Sequence, residues 1–434
     1  MAGTTSPIGL ALRGVRTLAG IDVLDRLGMR ETAEKVLYRG TREGFRAIGA
    51  AGRTFKTVKG AGRPARLKTA RGDLFDLTQS DEQQMLAEAF GEFAIKELRK
   101  VAQQADAACV APEGLLEQAD ELGLTMLGVP ESLGGAVEER STVTAVLAAE
   151  ALAQGDMGLA VAALAPAGVA SALTLWGDAG QQATYLPAFV GDKVPAAAVA
   201  IAEPRALFDP FALQTTATRT DDGFVLSGTK SLVPRGADAE LLLVAADLDG
   251  APQLFLVAPG ETEGVEAKDA PAMGIRAAAT ADLRLTDVQV PETALLAGAD
   301  YAEAVRRARL AWCALAAGTG RAVLDYVKQY VNERTAFGEP ISHRQAVAFG
   351  VSDIAIELEG IRLLTLRAAA RADAGEDFAR DAALARRAAG ELGMKIGNEG
   401  VQLLGGAGYI KEHPVERWYR DLRVVGAMEG ALLV

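Results

Sequence analysis

GNEGVQLLGGAGYIKEHPVERWYRDLRVVGAMEG, residues 397–430, is the stretch that decides how this chain folds. Its opening residues have helical spacing, and the glycine cluster at 405–408 predicts the end of that helix. A turn at His413-Pro414 follows, and residues 415–425 predict a second helix. That helix leads to one carboxylate, Glu429, between a methionine and a glycine. Apolar neighbours disfavour the charged form of a carboxylate, and a carboxylate tuned in this way can take a proton from carbon at neutral pH.

Composition limits the class of protein. The 434 residues are 50% hydrophobic and 24% charged, which suffices for two or three packed domains. We identify no apolar run long enough to span a bilayer and no N-terminal secretion signal, which predicts an intracellular, cytoplasmic protein. Cys109 and Cys313 lie far apart, so a disulfide framework or cysteine metal site is excluded. His343 and His413 both adjoin turns, which argues against a histidine zinc site or a Ser-His-Asp triad.

Residues 1–75 differ in charge from the rest of the chain. They hold 15 Lys/Arg and 6 Asp/Glu, a net charge of +9, whereas the whole chain carries -12. Lys35, Arg39, Arg42 and Arg46 fall at helical spacing and form a basic stripe. Either a solvated, partly helical extension or a docking element for an acidic partner or an anionic membrane surface fits this pattern. Nucleic-acid binding is disfavoured because aromatic residues are few and no binding motif is visible.

The hydrophobic period changes twice along the remaining chain. Residues 76–196 are helical in pattern, and residues 197–299 contain short apolar runs bounded by Gly, Asp and Pro that predict strands. Residues 300–434 return to a 3–4 spacing and predict long antiparallel helices. We therefore predict an α+β fold with an N-terminal helical domain, a middle β-barrel or sandwich, and a C-terminal four-helix bundle. The predicted boundaries are 1–75 for the extension, then 76–196, 197–299 and 300–434.

Several turns carry more specific information than the helices. They are L-G-V-P-E-S-L-G-G at 127–135, D-V-Q-V-P-E-T-A-L-L at 287–296, E-R-T-A-F-G at 333–338, and Q-L-L-G-G-A-G-Y at 402–409 with its following P-V-E-R, R-D and E-G. Together they resemble the acyl-CoA dehydrogenase family, in the family's order and spacing, over roughly residues 76–430. The resemblance implies an FAD-dependent oxidoreductase of fatty acid and lipid metabolism that dehydrogenates an acyl-CoA thioester between its α and β carbons.

The resemblance also assigns roles to individual residues. Glu429 would be the base that removes the α-proton, with Arg309 and Gly430 beside the substrate. Another base position, used by some family members, is Ala308 here and therefore empty. FAD would accept the hydride, because no side chain can. In this family a neighbouring subunit completes the flavin site, and the residues matching that contribution are Arg334, Phe337, Gln345, Gln402, Gly405 and Gly406.

The half of the flavin site that a subunit supplies to its own flavin departs from the family pattern. The family's T-E-P-G-A-G-S-D reads A-E-P-R-A-L-F-D at 202–209, and its W-I-T reads Leu232-Val233-Pro234. Each lost hydrogen bond removes ~0.5–1.5 kcal/mol. Three hypotheses follow: an FAD-dependent acyl-CoA dehydrogenase, a non-catalytic or weakly catalytic partner subunit of a heteromeric one, and a scaffold or binding protein tethered by residues 1–75. The first predicts a homo- or hetero-oligomer, dimer or tetramer, that passes electrons to an acceptor protein.

Overall fold

The computed structural model describes residues 78–191 and 193–434. The predicted basic extension and its stripe therefore lie outside the described residues. The described chain opens with helices α1 (Asp81–Phe93), α2 (Arg99–Ala108), α3 (Leu115–Asp120), α4 (Thr142–Ala153), α5 (Met157–Trp176) and α6 (Ala179–Phe189). Helix α1 begins with a capping box, in which Ser80 Oγ accepts from the Gln83 amide and the Gln83 side chain accepts from the Ser80 amide. The N-terminal helical domain is as predicted.

Helix α5 corrects one expectation about membranes. The helix has 20 residues and its most apolar 18-residue window has a mean hydropathy of 1.8, so by length and composition it could cross a bilayer. Most of it is instead buried inside the protein, 83% of its most apolar window. The physical reason is its position in the core, where α5 contacts α4, α6 and the middle domain. A helix surrounded by other elements is apolar on all faces, and periodicity alone does not distinguish it from a membrane span.

The middle domain is one curled, seven-stranded sheet. Its strands are β1 (Ala197–Ala200), β2 (Thr216–Thr220), β3 (Gly223–Val233), β4 (Leu241–Leu248), β5 (Ala251–Val257), β6 (Val265–Asp269) and β7 (Ala281–Pro291). The strand order is β1-β4-β2-β3-β7-β6, and β5 pairs with β4. Strand β1 runs parallel to β4 with Ala197 opposite Leu241, whereas β3 and β7 are antiparallel. The expected β-domain is confirmed, and β1, β2 and β6 are strands that the apolar runs did not mark.

The C-terminal domain contains α7 (Tyr301–Glu333), the small strands β8 (Thr335–Ala336) and β9 (Glu339–Pro340), α8 (Gln345–Asp373), α9 (Ala379–Leu404) and α10 (Val415–Val424). Small residues let α7 approach α4 closely. A Cβ added at Gly318 would lie 2.0 Å from the Glu150 carbonyl oxygen. The predicted helical bundle is confirmed, while the domain boundaries stay predictions.

The last residues of the described chain join the three domains. The Ala431 amide donates to the Val199 carbonyl on β1 at 2.7 Å. A Cβ at Gly168 on α5 would lie 2.8 Å from the Leu433 nitrogen. Residues 431–434 are buried. The chain segment after α10 is therefore held between the sheet and the helices, and Glu429 lies at its start.

Candidate active site

Glu429 is a buried carboxylate held by an arginine fork. Glu429 is 8% exposed to solvent. Arg309 on α7 donates from Nε to Oε1 at 3.1 Å and to Oε2 at 2.9 Å, and from Nη2 to Oε1 at 2.8 Å. Charge-assisted bonds of this kind are roughly twice as strong as neutral ones and fix the carboxylate plane. The structure therefore brings together two of the predicted site residues, which are 120 positions apart in the sequence.

A second guanidinium reaches the same carboxylate from α9. Arg386 Nη2 lies 3.4 Å from Glu429 Oε1 and donates to the Met428 carbonyl at 2.6 Å and the Gly426 carbonyl at 3.2 Å. Its Nη1 donates to the Val425 carbonyl. Burial lowers the pKa of Arg386, and the negative charge of Glu429 opposes that shift. The motifs did not mark Arg386, because nothing within α9 indicates that this arginine faces another segment.

Backbone geometry fixes the residue after the carboxylate. Gly430 has a φ of +72°, and a Cβ there would lie 2.8 Å from Ile201 Cβ. Trp312 Nε1 donates to the Gly430 carbonyl at 3.0 Å. Glycine is the residue that tolerates both the left-handed conformation and this contact. The predicted site residue Gly430 is therefore adjacent to Glu429 and pressed against β1.

A buried ion pair joins β3 to the segment that follows β1. Lys230 Nζ donates to Glu203 Oε1 at 2.9 Å and to the Ile201 carbonyl at 3.2 Å. Burial lowers the pKa of Lys230 to about 8, although Glu203 opposes it. Burial would raise the pKa of Glu203, but the Lys230 ammonium and the amides of Thr215 and Gln214 outweigh burial and lower it. The pair therefore holds Ile201, the residue after β1 against which Gly430 packs.

The arrangement has the groups needed for proton abstraction. Oε1 of Glu429 receives contacts from both arginines, whereas Oε2 receives one bond and keeps lone-pair capacity to accept a proton. Within the part of the chain that the structure describes, the amides of Glu429 and Gly430 donate to no other group. Free amides beside a base can stabilise an oxygen on which charge develops. Met428 is buried as the sequence suggested, but the charged neighbours Arg309 and Arg386 correct the expectation of purely apolar surroundings.

An apolar cavity lies on the other side of the buried tail. Its volume is about 30 Å³, and its walls include Leu164, Ala311 and Leu433. A space of this size holds about one water molecule. The cavity shows where apolar side chains converge near the tail but does not by itself accommodate an acyl chain.

The residues predicted to bind the cofactor form a different group at the far end of the bundle. All six are exposed, and they comprise Arg334, Phe337, Gln345, Gln402, Gly405 and Gly406. A Cβ at Gly350 would lie 3.3 Å from Leu403 Cδ2, which places the start of α8 beside the end of α9. Among the described residues, the Arg334 guanidinium has no ion pair or hydrogen bond. We call this set the distal flavin group.

Helix lengths separate the distal flavin group from Glu429. Arg386 and Gln402 are 16 residues apart on α9, which corresponds to ~24 Å along a helix axis at 1.5 Å per residue. Arg309 and Arg334 are 25 residues apart along α7 and its end, or ~37 Å. The structure therefore does not bring the predicted cofactor residues to the Glu429 of the same chain.

Three family models match this chain. They are the acyl-CoA dehydrogenase N-terminal domain at residues 80–193, the middle domain at 198–288 and the C-terminal domain at 298–432. The chain belongs to the acyl-CoA dehydrogenase family.

Individual relatives agree with the family models. The chain is 34% identical to the mitochondrial short-chain specific acyl-CoA dehydrogenase of Mus musculus, over 80% of this chain and 86% of that one. It is 32% identical to acryloyl-CoA reductase (NADH) of Anaerotignum propionicum, over 84% and 95%. Butyryl-CoA dehydrogenase of Megasphaera elsdenii has a similar structure, with a TM-score of 0.74, 29% identity, and coverage of 81% and 95%. By family, the protein is an acyl-CoA dehydrogenase-like, FAD-dependent oxidoreductase, and these relatives do not favour the partner-subunit and scaffold hypotheses.

The two halves of the family's flavin site fit a flavin unequally here. The distal flavin group offers a guanidinium, two amides and two glycines at which an added Cβ would meet nothing within 4 Å, and such donors suit a pyrophosphate. On the side of β1, the Ala202 carbonyl accepts from the Ser231 amide, and Ala202 carries no hydroxyl. Leu232 is half-buried and has a φ of +53°, and Pro234, which lacks an N–H, is buried. The distal flavin group therefore offers more hydrogen-bond donors to a flavin than the residues on the side of β1 do.

Proposed function

We propose that this chain catalyses the α,β-dehydrogenation of a short-chain acyl-CoA thioester, with Glu429 as the base. The observation that carries the proposal is the buried Arg309–Glu429 fork at the junction of the three domains. The short-chain preference is taken from the names of the relatives, which include short-chain specific dehydrogenases of Mus musculus and Megasphaera elsdenii.

In this reaction the residues of the chain would have distinct roles. Glu429 Oε2 accepts the α-proton while Arg309 fixes the plane of the carboxylate. The free amides of Glu429 and Gly430 are placed to donate to the thioester oxygen, which acidifies the α-carbon. FAD, when bound, accepts the β-hydride.

We also propose that the active unit is an oligomer in which one subunit lends its distal flavin group to another. The exposure of that group and its ~24 Å separation from Arg386 support this proposal. The same proposal includes three further points. An oligomer of this chain retains FAD without a second kind of subunit, it passes electrons to an acceptor protein, and it is located in the cytoplasm. A role of residues 1–75 at a membrane or an acidic partner stays a prediction.

Replacing the base tests the function. We expect Glu429→Gln to lower kcat with butyryl-CoA by roughly 10²–10⁴-fold, because an amide cannot accept the proton. The matched control is Glu412→Gln, since Glu412 is exposed and in none of the contacts described above. Turnover is measured with an artificial electron acceptor, and flavin content is measured by absorbance. Equal kcat for the two variants would refute Glu429 as the base. A colourless wild-type protein that gains flavin only when a relative is co-expressed would instead support the partner-subunit hypothesis.

A further inference from the structure

We propose that Arg386 is a positioning residue that presents Glu429 to the substrate, an inference that rests on the proposed function of Glu429. Arg386 lies on α9, and its guanidinium crosses to the segment that follows α10. There it contacts three carbonyls and the Glu429 carboxylate.

The first step of the argument concerns the end of α10. The last carbonyls of a helix have no partner inside the helix and carry partial negative charge. Arg386 donates to the carbonyls of Val425 and Gly426, immediately after the helix. A guanidinium satisfies several such acceptors at once because its donors form a rigid fork. The direction in which the chain leaves α10 is therefore fixed by a side chain of another helix.

The second step concerns the path from α10 to the base. Arg386 also donates to the Met428 carbonyl at 2.6 Å, the residue directly before Glu429. The segment between Val425 and Met428 contains Gly426 and Ala427, whose small side chains restrain the backbone little. Its described restraints are the amides of Ala427 and Met428, which donate to the Val424 carbonyl, and the bonds to Arg386. Removing the guanidinium frees the carbonyl side of the segment while leaving α10 intact.

The third step concerns charge. Arg386 is 12% exposed in its side chain, and its Nη2 lies 3.4 Å from Glu429 Oε1. The other groups that face it are Arg309, with the same charge, and the buried thiol of Cys313. Because Arg309 already forms the tight fork with the carboxylate, Arg386 adds the second positive charge behind Oε1 and leaves Oε2 as the oxygen that takes the proton.

The adjacent Arg387 provides a matched control. It is on the same helix and has the same charge, but its side chain is 78% exposed and pairs with Glu391 one turn away. Replacing Arg387 therefore changes the net charge and the composition of α9 as much as replacing Arg386 does, but it removes no contact with the segment before Glu429.

The experiment compares Arg386→Gln, Arg386→Lys and Arg387→Gln in the full-length, flavin-loaded protein with butyryl-CoA. We expect Arg386→Gln to lower kcat on the order of 10²-fold, the cost of misplacing a reacting group by about 1 Å, with a smaller change in KM. The Arg386→Lys variant keeps the charge but loses the fork, so its kcat should lie between those of wild type and Arg386→Gln. Arg387→Gln should match wild type.

Two further measurements separate positioning from general damage. Guanidinium ion added to Arg386→Ala should restore part of kcat but have no effect on wild type or Arg387→Gln. Hydrogen exchange of amides 425–431 should quicken in Arg386→Gln and not in Arg387→Gln. Exchange needs no turnover, so a wild-type protein that fails to oxidise acyl-CoA would refute the proposed function while the exchange result still tests Arg386.

Three results would overturn the proposal. The first is a kcat for Arg386→Gln equal to that of Arg387→Gln. The second is a loss of kcat in Arg386→Gln with no guanidinium rescue of Arg386→Ala and unchanged exchange at 425–431. The third, decisive if the glutamine variant does not fold, is a folded Arg386→Lys variant with wild-type kcat and wild-type exchange.

Discussion

Asp421 shows how one buried group can make stability depend on pH. The residue is 1% exposed, its Oδ1 accepts from the Ile275 amide at 2.6 Å, and its Oδ2 has no partner among the described residues. Burial raises the pKa of Asp421 to about 8, and the nearby Asp156 adds to the shift. Arg417 and Arg420 face it and act in the opposite direction.

The sign of the pH effect follows from the raised pKa. Between the unfolded value, about 4, and the folded value, about 8, the folded protein binds a proton that the unfolded chain has released. The free energy of unfolding therefore decreases as pH rises through this window, by up to ~1.4 kcal/mol per pH unit from this group. Asp421→Asn should flatten that part of the profile while its carbonyl still accepts from Ile275. Urea unfolding at pH 5 and pH 8 measures the difference, and identical slopes for variant and wild type would contradict the assignment.

Single residues also decide what the active site can be. Glu429 was identified from a motif, but its partners Arg309 and Arg386 come from two other helices. Their charge reaches the carboxylate only because α7 and α9 pack side by side in the bundle. The local sequence could predict the base and not the electrostatics around it.

At the scale of elements, the approach of α7 to α4 depends on a missing side chain. A Cβ at Gly318 would lie 2.0 Å from the Glu150 carbonyl and 2.9 Å from Ala153 Cβ. We expect Gly318→Ala to lower the free energy of unfolding by roughly 1–3 kcal/mol, because two helix backbones must separate. The same shift would displace Arg309 on α7.

Gly360 on α8 is the control for that prediction. A Cβ there would meet nothing within 4 Å. Gly360→Ala should therefore stabilise the protein by about 0.5–1 kcal/mol, since alanine loses less backbone entropy in a helix. Thermal unfolding of the two variants should shift in opposite directions. A stabilised Gly318→Ala would show that the contact between α4 and α7 is not close.

Helices and strands also differ in how clearly their own sequence predicts them. Helices α5 and α7 and strands β3 to β5 carry long apolar or periodic runs, and they were found. Strand β2 is T-A-T-R-T and strand β6 is V-E-A-K-D, both mostly exposed, and β1 has four residues buried on both faces. These segments form strands because adjacent strands supply their hydrogen bonds. Their own residues have no hydrophobic period from which a strand could be predicted.

At the scale of the whole molecule, the distance between the base and the distal flavin group predicts sharing between subunits. Arg334→Glu should abolish flavin binding in a homo-oligomer, because a carboxylate replaces the cation that would face the pyrophosphate. Glu429→Gln should keep flavin and lose turnover. Co-expression of the two variants should restore part of the activity, since some sites combine Glu429 of one subunit with Arg334 of another.

Two controls make the complementation decisive. Each variant alone must be inactive, and mixing the separately purified proteins without subunit exchange must stay inactive. Co-expressed subunits that assemble and remain without activity would show that each chain uses both groups for itself, against the oligomer we propose.

The sequence by itself determined the order of domains and the family, and it predicted Glu429 as the base, because turns rich in glycine and proline and the hydrophobic periods are local properties of the chain. Tertiary structure alone decided that Arg309 and Arg386 meet Glu429, that α5 is a core helix, and that Gln402 lies ~24 Å along α9 from the Arg386 that contacts the Glu429 carboxylate. These facts depend on which helices pack together and how far along them a residue lies, and contacts between residues tens to hundreds of positions apart leave no periodic signal in the chain.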